Sequence, residues 1–208
     1  TAKMEEVSYY FAYCHYSASD NLMAAYLFKN YTQNYPNGKH AEECAYMTAY
    51  CYYLEAPNYS LDATNNYKAI NELQTFVDRF PNSDRIEKCN LLLDELRTIL
   101  SKKAFENAKQ YFTTENYKSA IIALENVLID FPSYTNREEV YFLIVKSSYL
   151  LAINSISTKV ISRLKATLDA YAQFKDSYPN SDLIKDLQNT YNKTNQTLTE
   201  LKEKKDEI

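Results

Sequence analysis

The chain has 208 residues, a formal net charge of −4, 21 tyrosines, one glycine and five prolines. A sheet protein needs many turn glycines, so their scarcity favours an all-α chain. The sequence contains no basic cluster that would follow phosphates and no apolar run approaching about 20 residues. These features argue against a nucleic-acid partner and against a membrane span.

A stop signal of one kind occurs four times along the chain. An aromatic residue that ends an apolar helical stripe is followed at once by proline, at Pro36, Pro81, Pro132 and Pro179. Proline lacks an N–H group and pushes the preceding residue out of the helical region. A polar residue such as Ser83 can then accept backbone N–H bonds and cap the next helix. This internal repeat predicts a chain of helical hairpins.

The pattern predicts four helix pairs, at about 5–36, 38–81, 83–132 and 135–179. The third pair begins with one long or slightly bent helix, because no breaker occurs from Ser83 to about Thr113. Together the pairs form a predicted repeat region over residues 1–187. Residues 188–208 have sparse apolar positions and mixed charges, which predicts a charged terminal helix or tail that is solvated or frays.

The first helices of pairs one and two are near copies of each other. The segment Ala12-Tyr-Cys-His-Tyr16 matches Ala49-Tyr-Cys-Tyr-Tyr53 at an offset of 37 residues (49 − 12). The corresponding prolines are 45 residues apart (81 − 36), and a loop around Pro57 accounts for the difference. Exposed loops tolerate such insertions at small entropic cost.

These hairpins resemble tetratricopeptide repeats, in which small residues let paired helices approach and large residues fill the gaps. The third pair fits best, with Ala108 on its first helix and Ala120, Leu124 and Pro132 on its second. The fourth pair departs from the pattern at Thr167, where a small alanine is usual. The resemblance implies an all-α, right-handed superhelical solenoid of about four helix pairs plus a C-terminal helix.

Between Val7 and Leu187 the chain contains units ending Phe/Tyr-Pro-Asn-Ser and the segments Ala49–Tyr53, Asn71–Gln74 and Ala123–Val127. In these features it resembles the BamD (YfiO) family, the lipoprotein subunit of the bacterial outer-membrane β-barrel assembly machinery. Within this family the sequence most resembles a Bacteroidetes-type member. In that family a signal peptide, a lipidated cysteine and one further repeat would precede this chain.

The resemblance implies a non-enzymatic scaffold at the periplasmic face of the outer membrane, lipid-anchored in its full-length form. Its implied partners are unfolded outer-membrane protein clients and the periplasmic domains of a BamA-like barrel subunit, the latter docked from about Phe105 onward. Another periplasmic repeat adaptor, in cell-envelope or cell-division machinery, is the alternative. A cytosolic co-chaperone that clamps C-terminal carboxylates would need Lys and Asn where this chain has Tyr9 and Tyr13.

In tetratricopeptide repeats the groove is lined by positions −6, −3, +1 and +4, counted from the small residue of the first helix. Counting from Ala12 gives Glu6, Tyr9, Tyr13 and Tyr16. Counting from Ala49 gives Glu43, Tyr46, Tyr50 and Tyr53. Counting from Ala108 gives Lys102, Phe105, Lys109 and Phe112. We call the six tyrosines of the first two sets the tyrosine ladder.

Two interpretations of the tyrosine ladder remain open. In one, an aromatic groove with acidic ends holds an extended client peptide, stacking on its side chains while phenolic hydroxyl groups meet its backbone. In the other, the tyrosines only pack between adjacent helices. The first interpretation predicts that Tyr13→Ala combined with Tyr50→Ala weakens peptide binding while helicity is unchanged.

The remaining reactive residue types predict no chemical site. The cysteines are expected to be buried thiols: Cys14, Cys44, Cys51 and Cys89. Cys44 corresponds to Val7 in the preceding copy, as expected of an apolar position, and a Cys14–Cys51 disulfide is the alternative. No Cys-x-x-Cys pair suggests zinc, and no Gly-rich loop suggests a phosphate. His15 aligns with Tyr52 and is interpreted as a packing residue, so no enzyme, cofactor or metal is expected.

Overall fold

The computed structural model describes residues 2–206 of the chain, which form nine α-helices and no strand. The helices are α1 (Ala2–Ser17), α2 (Asn21–Asn34), α3 (Ala41–Leu54), α4 (Thr64–Arg79), α5 (Ile86–Thr113), α6 (Tyr117–Asp130), α7 (Arg137–Ile153), α8 (Ser157–Ser177) and α9 (Ile184–Asp206). The predicted all-α, tetratricopeptide-like fold class is confirmed, and its handedness stays a prediction. The last two residues of the predicted tail lie outside the described residues.

The four predicted stops share one backbone geometry. The residue before each proline has φ between −125° and −135° and ψ between 60° and 70°. Its N–H group donates to the carbonyl oxygen four residues earlier, as Tyr35 does to Tyr31 at 2.8 Å. The next helix begins five residues after each proline, at Ala41, Ile86, Arg137 and Ile184. Because of this constant spacing, residues at the same distance from a proline occupy equivalent positions in α3, α5, α7 and α9.

The turns after Pro36, Pro81 and Pro179 are of two kinds. Ser83 Oγ accepts a hydrogen bond from the Arg85 N–H at 3.2 Å, and Ser181 Oγ accepts one from Leu183 at 3.0 Å. The first turn contains Gly38 instead, where an added Cβ would lie 2.5 Å from Glu5 Oε1 and 2.9 Å from the Tyr31 hydroxyl oxygen. The glycine therefore permits a close approach of the backbone to these two side chains.

The chain divides within α5 into two compact units, the first ending at Leu100 and the second beginning at Ser101. In the first unit α1 packs on α2, α2 on α3 and α3 on α4. Small residues are fully buried in these helices, as the repeat pattern predicts: Ala12, Ala24, Ala49 and Ala69. Large side chains fill the same core, including Phe28, Leu73, Phe76 and Leu96.

The second unit repeats this arrangement with α6 on α7, α7 on α8, and α9 on both α7 and α8. The segment after residue 187 is helical as far as Asp206, and one face of it is buried. That face contains Leu187, Thr190, Thr194 and Leu198. The Thr194 hydroxyl group donates to the Thr190 carbonyl oxygen at 2.7 Å, so this polar group is satisfied within its own helix. Because threonine is counted as polar, a pattern of apolar residues does not reveal that Thr190 and Thr194 are buried.

The four cysteines are free thiols, and their burial depends on their position in the helix stack. Cys44, Cys51 and Cys89 are buried, and burial raises the pKa of Cys44 and of Cys51 to about 12. Cys14 is exposed, so the expectation of a buried thiol is wrong there. Val7, the counterpart of Cys44, is 60% exposed, because among the described residues no helix covers this side of α1.

Candidate functional site

The tyrosine ladder occupies one region of the first unit, in one row on α1 and one on α3. On α1 the rings meet edge to face, with Tyr9 and Tyr13 centroids 4.9 Å apart. On α3 the rings are nearly parallel, with centroid distances of 5.7 Å from Tyr46 to Tyr50 and 6.0 Å from Tyr50 to Tyr53. These separations are those of favourable aromatic pairs.

Glu43 joins the two rows through its carboxylate. The Tyr13 hydroxyl group donates to Glu43 Oε1 at 2.6 Å, and the Tyr9 hydroxyl group donates to Oε2 at 3.0 Å. His40 stacks on the Tyr9 ring at 3.9 Å and lies 3.8 Å from the Glu43 carboxylate. The predicted acidic groove position therefore serves as a hydrogen-bond acceptor between α1 and α3.

The titration of these groups reflects the same contacts. Burial alone would raise the pKa of Glu43, but hydrogen bonds from Tyr13 and Tyr9, with the positive charge of Arg85, lower it below its ordinary value. The pKa values of Tyr13 and Tyr9 are raised, first by burial and then by their bonds to Glu43. Folding therefore favours a charged carboxylate beside neutral phenols.

A third row on α5 completes this surface. The Lys88 ammonium nitrogen lies 5.0 Å from the Tyr50 ring centroid and 5.6 Å from that of Tyr46. The Tyr53 hydroxyl group donates to Glu95 at 2.5 Å. Between these two residues, the Leu91 side chain is 62% exposed. The surface thus combines phenol rings, the cations of Lys88 and Arg85, one exposed leucine and the carboxylates of Glu43 and Glu95.

The buried fractions of the predicted groove residues differ. Tyr46 is only 6% exposed, packs edge-on against Phe76 and has Arg85 above its ring at 5.0 Å. The other five ladder tyrosines are half-buried: Tyr9, Tyr13, Tyr16, Tyr50 and Tyr53. Glu6 is exposed at the start of the α1 row. Tyr46 is thus largely a packing residue, while the other rings retain surface that a ligand could contact.

The predicted groove positions of the second unit have a different chemistry. Phe105 is 2% exposed and packs on Tyr134, with centroids 5.4 Å apart. Lys109 Nζ donates to Glu139 Oε1 at 2.8 Å, which raises the pKa of Lys109. Phe112 is half-buried and meets the Tyr117 ring edge to face. Lys102, which precedes them, is exposed.

Residues at one position of the repeat connect each helix that follows a proline to a neighbouring first helix. We call the residues seven positions after each proline the bridging residues: Glu43 (36 + 7), Lys88 (81 + 7), Glu139 (132 + 7) and Asp186 (179 + 7). Each contacts a residue on a first helix in its own unit. Glu43, Lys88 and Glu139 contact the +1 residues Tyr13, Tyr50 and Lys109, respectively, and Asp186 contacts Lys146 on α7.

Of these four, only Glu43 was predicted as a site residue. Lys88, Glu139 and Asp186 were missed, because the groove positions were counted from small residues and not from the prolines. The spacing between the prolines and the helix starts is visible in the sequence and would have identified them. The side chain that each one contacts depends on the packing of the helices.

A comparison with known protein families identifies the family of this helical chain. The family model of the outer membrane lipoprotein YfiO matches residues 1–164. The chain belongs to the YfiO (BamD) family. The match covers α1 to α7 and the beginning of α8. No curated protein matches the chain.

Membership in the YfiO family associates the chain with the bacterial outer membrane. In the part of the chain that the structure describes, none of the helices combines the length and the apolar character needed to cross a bilayer. The ladder lies entirely within the region that the YfiO family model matches. The rows on α1, α3 and α5 are therefore built on the family's own framework.

Proposed function

We propose that this YfiO-family chain is a non-enzymatic scaffold of the outer-membrane β-barrel assembly machinery, acting at the periplasmic face of the membrane. The first unit binds client peptide segments along the tyrosine ladder and the α5 row. The second unit, from about Phe105 onward, binds the periplasmic domains of a BamA-like barrel subunit. A lipid anchor in the full-length protein attaches the scaffold to the membrane.

The observation that carries the peptide-binding role is the row of half-buried phenols in the first unit. Tyr50 and Tyr53 lie nearly parallel, and the Tyr53 hydroxyl group is held by Glu95. Aromatic rings of fixed orientation supply contact area with little entropy to lose on binding. The rows on α1, α3 and α5 offer such area beside polar groups, as recognition of an extended peptide requires.

A peptide titration tests the role of the first unit. The probe is a fluorescent peptide with blocked ends and aromatic residues at alternate positions, and the readout is anisotropy. Tyr50→Ala is expected to weaken binding by about two- to twelvefold, since one aromatic pair contributes about 0.5–1.5 kcal/mol. Tyr67→Ala, at an α4 tyrosine that is 60% exposed outside the ladder, is the matched control and leaves affinity unchanged.

Circular dichroism should show the same helicity in both variants. Equal affinity of wild type and Tyr50→Ala would refute the groove interpretation and leave packing as the role of the ladder. For the second unit, purification of the full chain from its native envelope should recover a BamA-like barrel protein. Recovery of peptidoglycan or cell-division proteins in its place would favour the alternative envelope adaptor.

A further inference from the structure

Lys88 differs from the other bridging residues in what it contacts. Glu43 accepts hydrogen bonds from two tyrosines, while Glu139 and Asp186 form ion pairs at 2.8 Å and 3.4 Å. Lys88 lies over two tyrosine rings, and among the described residues no carboxylate pairs with it. Its exposed ammonium group therefore keeps N–H donors available for an anionic partner.

The contact of Lys88 with the tyrosines holds its ammonium group in place. The buried Tyr46 hydroxyl group raises the pKa of Lys88, and it forms no regular hydrogen bond with any of the described residues. The ring faces of Tyr46 and Tyr50 attract the cation without consuming its hydrogen-bond capacity. Arg85, the other cation over Tyr46, acts instead on the carboxylate of Glu43.

An open cleft lies on one side of Lys88. Leu91, one helical turn further along α5, is 62% exposed and lines this cleft of about 470 Å³ with Ile99 and the acidic residues Asp94 and Glu95. Along α3, neighbouring rings are 5.7 Å and 6.0 Å apart. In an extended peptide, side chains two residues apart point to the same side and are separated by about 6.6 Å. The spacing of the rings is therefore close to that of alternate side chains of one strand, and the Lys88 ammonium nitrogen lies 5.0 Å from the middle ring, that of Tyr50.

Building on the proposed function, we infer that the first unit prefers client segments in which an Asp or Glu side chain lies two residues from an aromatic side chain. The carboxylate pairs with Lys88, and the aromatic ring packs on Tyr50, Tyr53 and Leu91. A side-chain carboxylate fits better than a chain terminus, because Leu91 and Glu95 continue the surface beyond Lys88. The peptide can therefore run on past the cation.

The test uses the full chain and three peptides that differ only in charge. All carry the same alternating aromatic residues: one has Glu two residues from an aromatic residue with both ends blocked, and the second has Gln there. The third has Gln and a free C-terminal carboxylate. Wild type is expected to bind the Glu peptide about fivefold more tightly than the Gln peptide at low salt, within the range of an exposed ion pair.

Lys88→Met keeps the apolar stem and should abolish the Glu/Gln difference. Lys68→Met is the matched control, because Lys68 is also exposed over a tyrosine, Tyr52 at 5.4 Å, on α4. This variant should retain the fivefold preference, and higher salt should reduce the preference in both wild type and Lys68→Met.

Equal binding of the Glu and Gln peptides to wild type, with both weakened in Tyr50→Ala, would overturn the carboxylate inference and leave the peptide groove intact. A preference for the free C-terminus with none for Glu would also overturn it, since Lys88 would then serve chain ends. A Glu preference that persists in Lys88→Met would remove Lys88 as its cause. Failure of all three peptides to bind would overturn both the inference and the peptide-binding function.

Discussion

Glu43 in the first unit and Glu139 in the second occupy the same place in the repeat, seven residues after a proline. Glu43 accepts hydrogen bonds from two neutral phenols, whereas Glu139 forms an ion pair with Lys109. The side chains of the second pair are 43% and 38% exposed, while that of Glu43 is 32% exposed. The same register thus carries a phenol surface in one unit and a charged surface in the other.

This difference shows how a repeat separates framework from surface. The prolines and small buried residues set the spacing and the approach of the helices in both units, with Thr167 in place of the usual alanine on α8. The +1 and −6 positions are free to vary, because their side chains lie outside the cores. A ligand surface can therefore be concentrated in one unit while the other keeps the same backbone.

The largest expected effect tests whether the two cores are equivalent. Phe76 and Phe174 each lie five residues before a proline and are 1% and 0% exposed. Replacing either by Ala should cost about 3–5 kcal/mol in free energy of unfolding, because a buried ring is lost and a cavity is left. Urea unfolding of each variant measures the cost, and hydrogen exchange should locate the loss of protection in the unit that carries the substitution.

Phe→Leu at the same two positions is the conservative control and should cost far less. If the two Ala variants differed by more than about 2 kcal/mol, the cores would not be equivalent. The contrast between the units would then extend beyond their surfaces.

The next effect compares the two glutamates directly. Glu43→Gln should destabilise the chain by about 1–2 kcal/mol at neutral pH, because hydrogen bonds to a charged acceptor are the stronger kind and these are only partly screened. Glu139→Gln should cost about 0.5 kcal/mol, as expected for an exposed ion pair. The denaturant midpoints of the two variants, measured under the same conditions, test this comparison. Equal losses of unfolding free energy would show that the hydrogen bonds to Glu43 stabilise the chain no more than the exposed ion pair of Glu139 does.

Much of this framework could be predicted from the sequence, because proline and aromatic residues act locally. Pro81 ends α4 wherever the helix packs, so the stops and the long α5 were predicted correctly. The equivalence of Tyr13 and Tyr50 also followed from the repeat, and the structure places both at contacts of bridging residues. Local rules of this kind need no knowledge of neighbouring helices.

Other features depend on what lies beside a helix in space. Cys14 and Cys51 occupy equivalent positions, yet Cys51 is buried and Cys14 is exposed, because α2 precedes α3 and none of the described helices precedes α1. The partners of Lys88 could not be predicted, since they belong to α3 and are brought near by packing. A repeat predicts register, whereas burial and pairing also require knowledge of the neighbours.

A smaller effect concerns alkaline pH. Burial and the bond to Glu43 raise the pKa of Tyr13 above its ordinary value of 10.0. The folded state therefore keeps this phenol neutral, and its contribution to stability is complete below pH 10 and is lost as the pH rises from there towards the folded pKa. In Tyr13→Phe, stability should fall by about 1 kcal/mol at pH 7 but decline less steeply above pH 10.

Unfolding curves recorded on both sides of pH 10, with phenolate absorbance followed in parallel, measure this change in slope. Tyr26→Phe is the control, because Tyr26 is 57% exposed on α2. If the free energy of unfolding fell equally steeply above pH 10 in wild type and in Tyr13→Phe, the contact with Glu43 would not raise the pKa of Tyr13 in the folded state.

The smallest effect separates the two surfaces by their response to salt. The Lys109–Glu139 pair is exposed on both sides, so raising the salt from about 0.05 M to about 1 M should remove most of its contribution, less than about 0.5 kcal/mol. The stability difference between wild type and Lys109→Met should therefore shrink with salt. The difference between wild type and Glu43→Gln should shrink less, because the hydrogen-bond donors to Glu43 are neutral phenols and only the charge of Arg85 adds a contribution that salt screens. If both differences shrank equally, the phenol surface would depend on long-range charge as much as the ion pairs do.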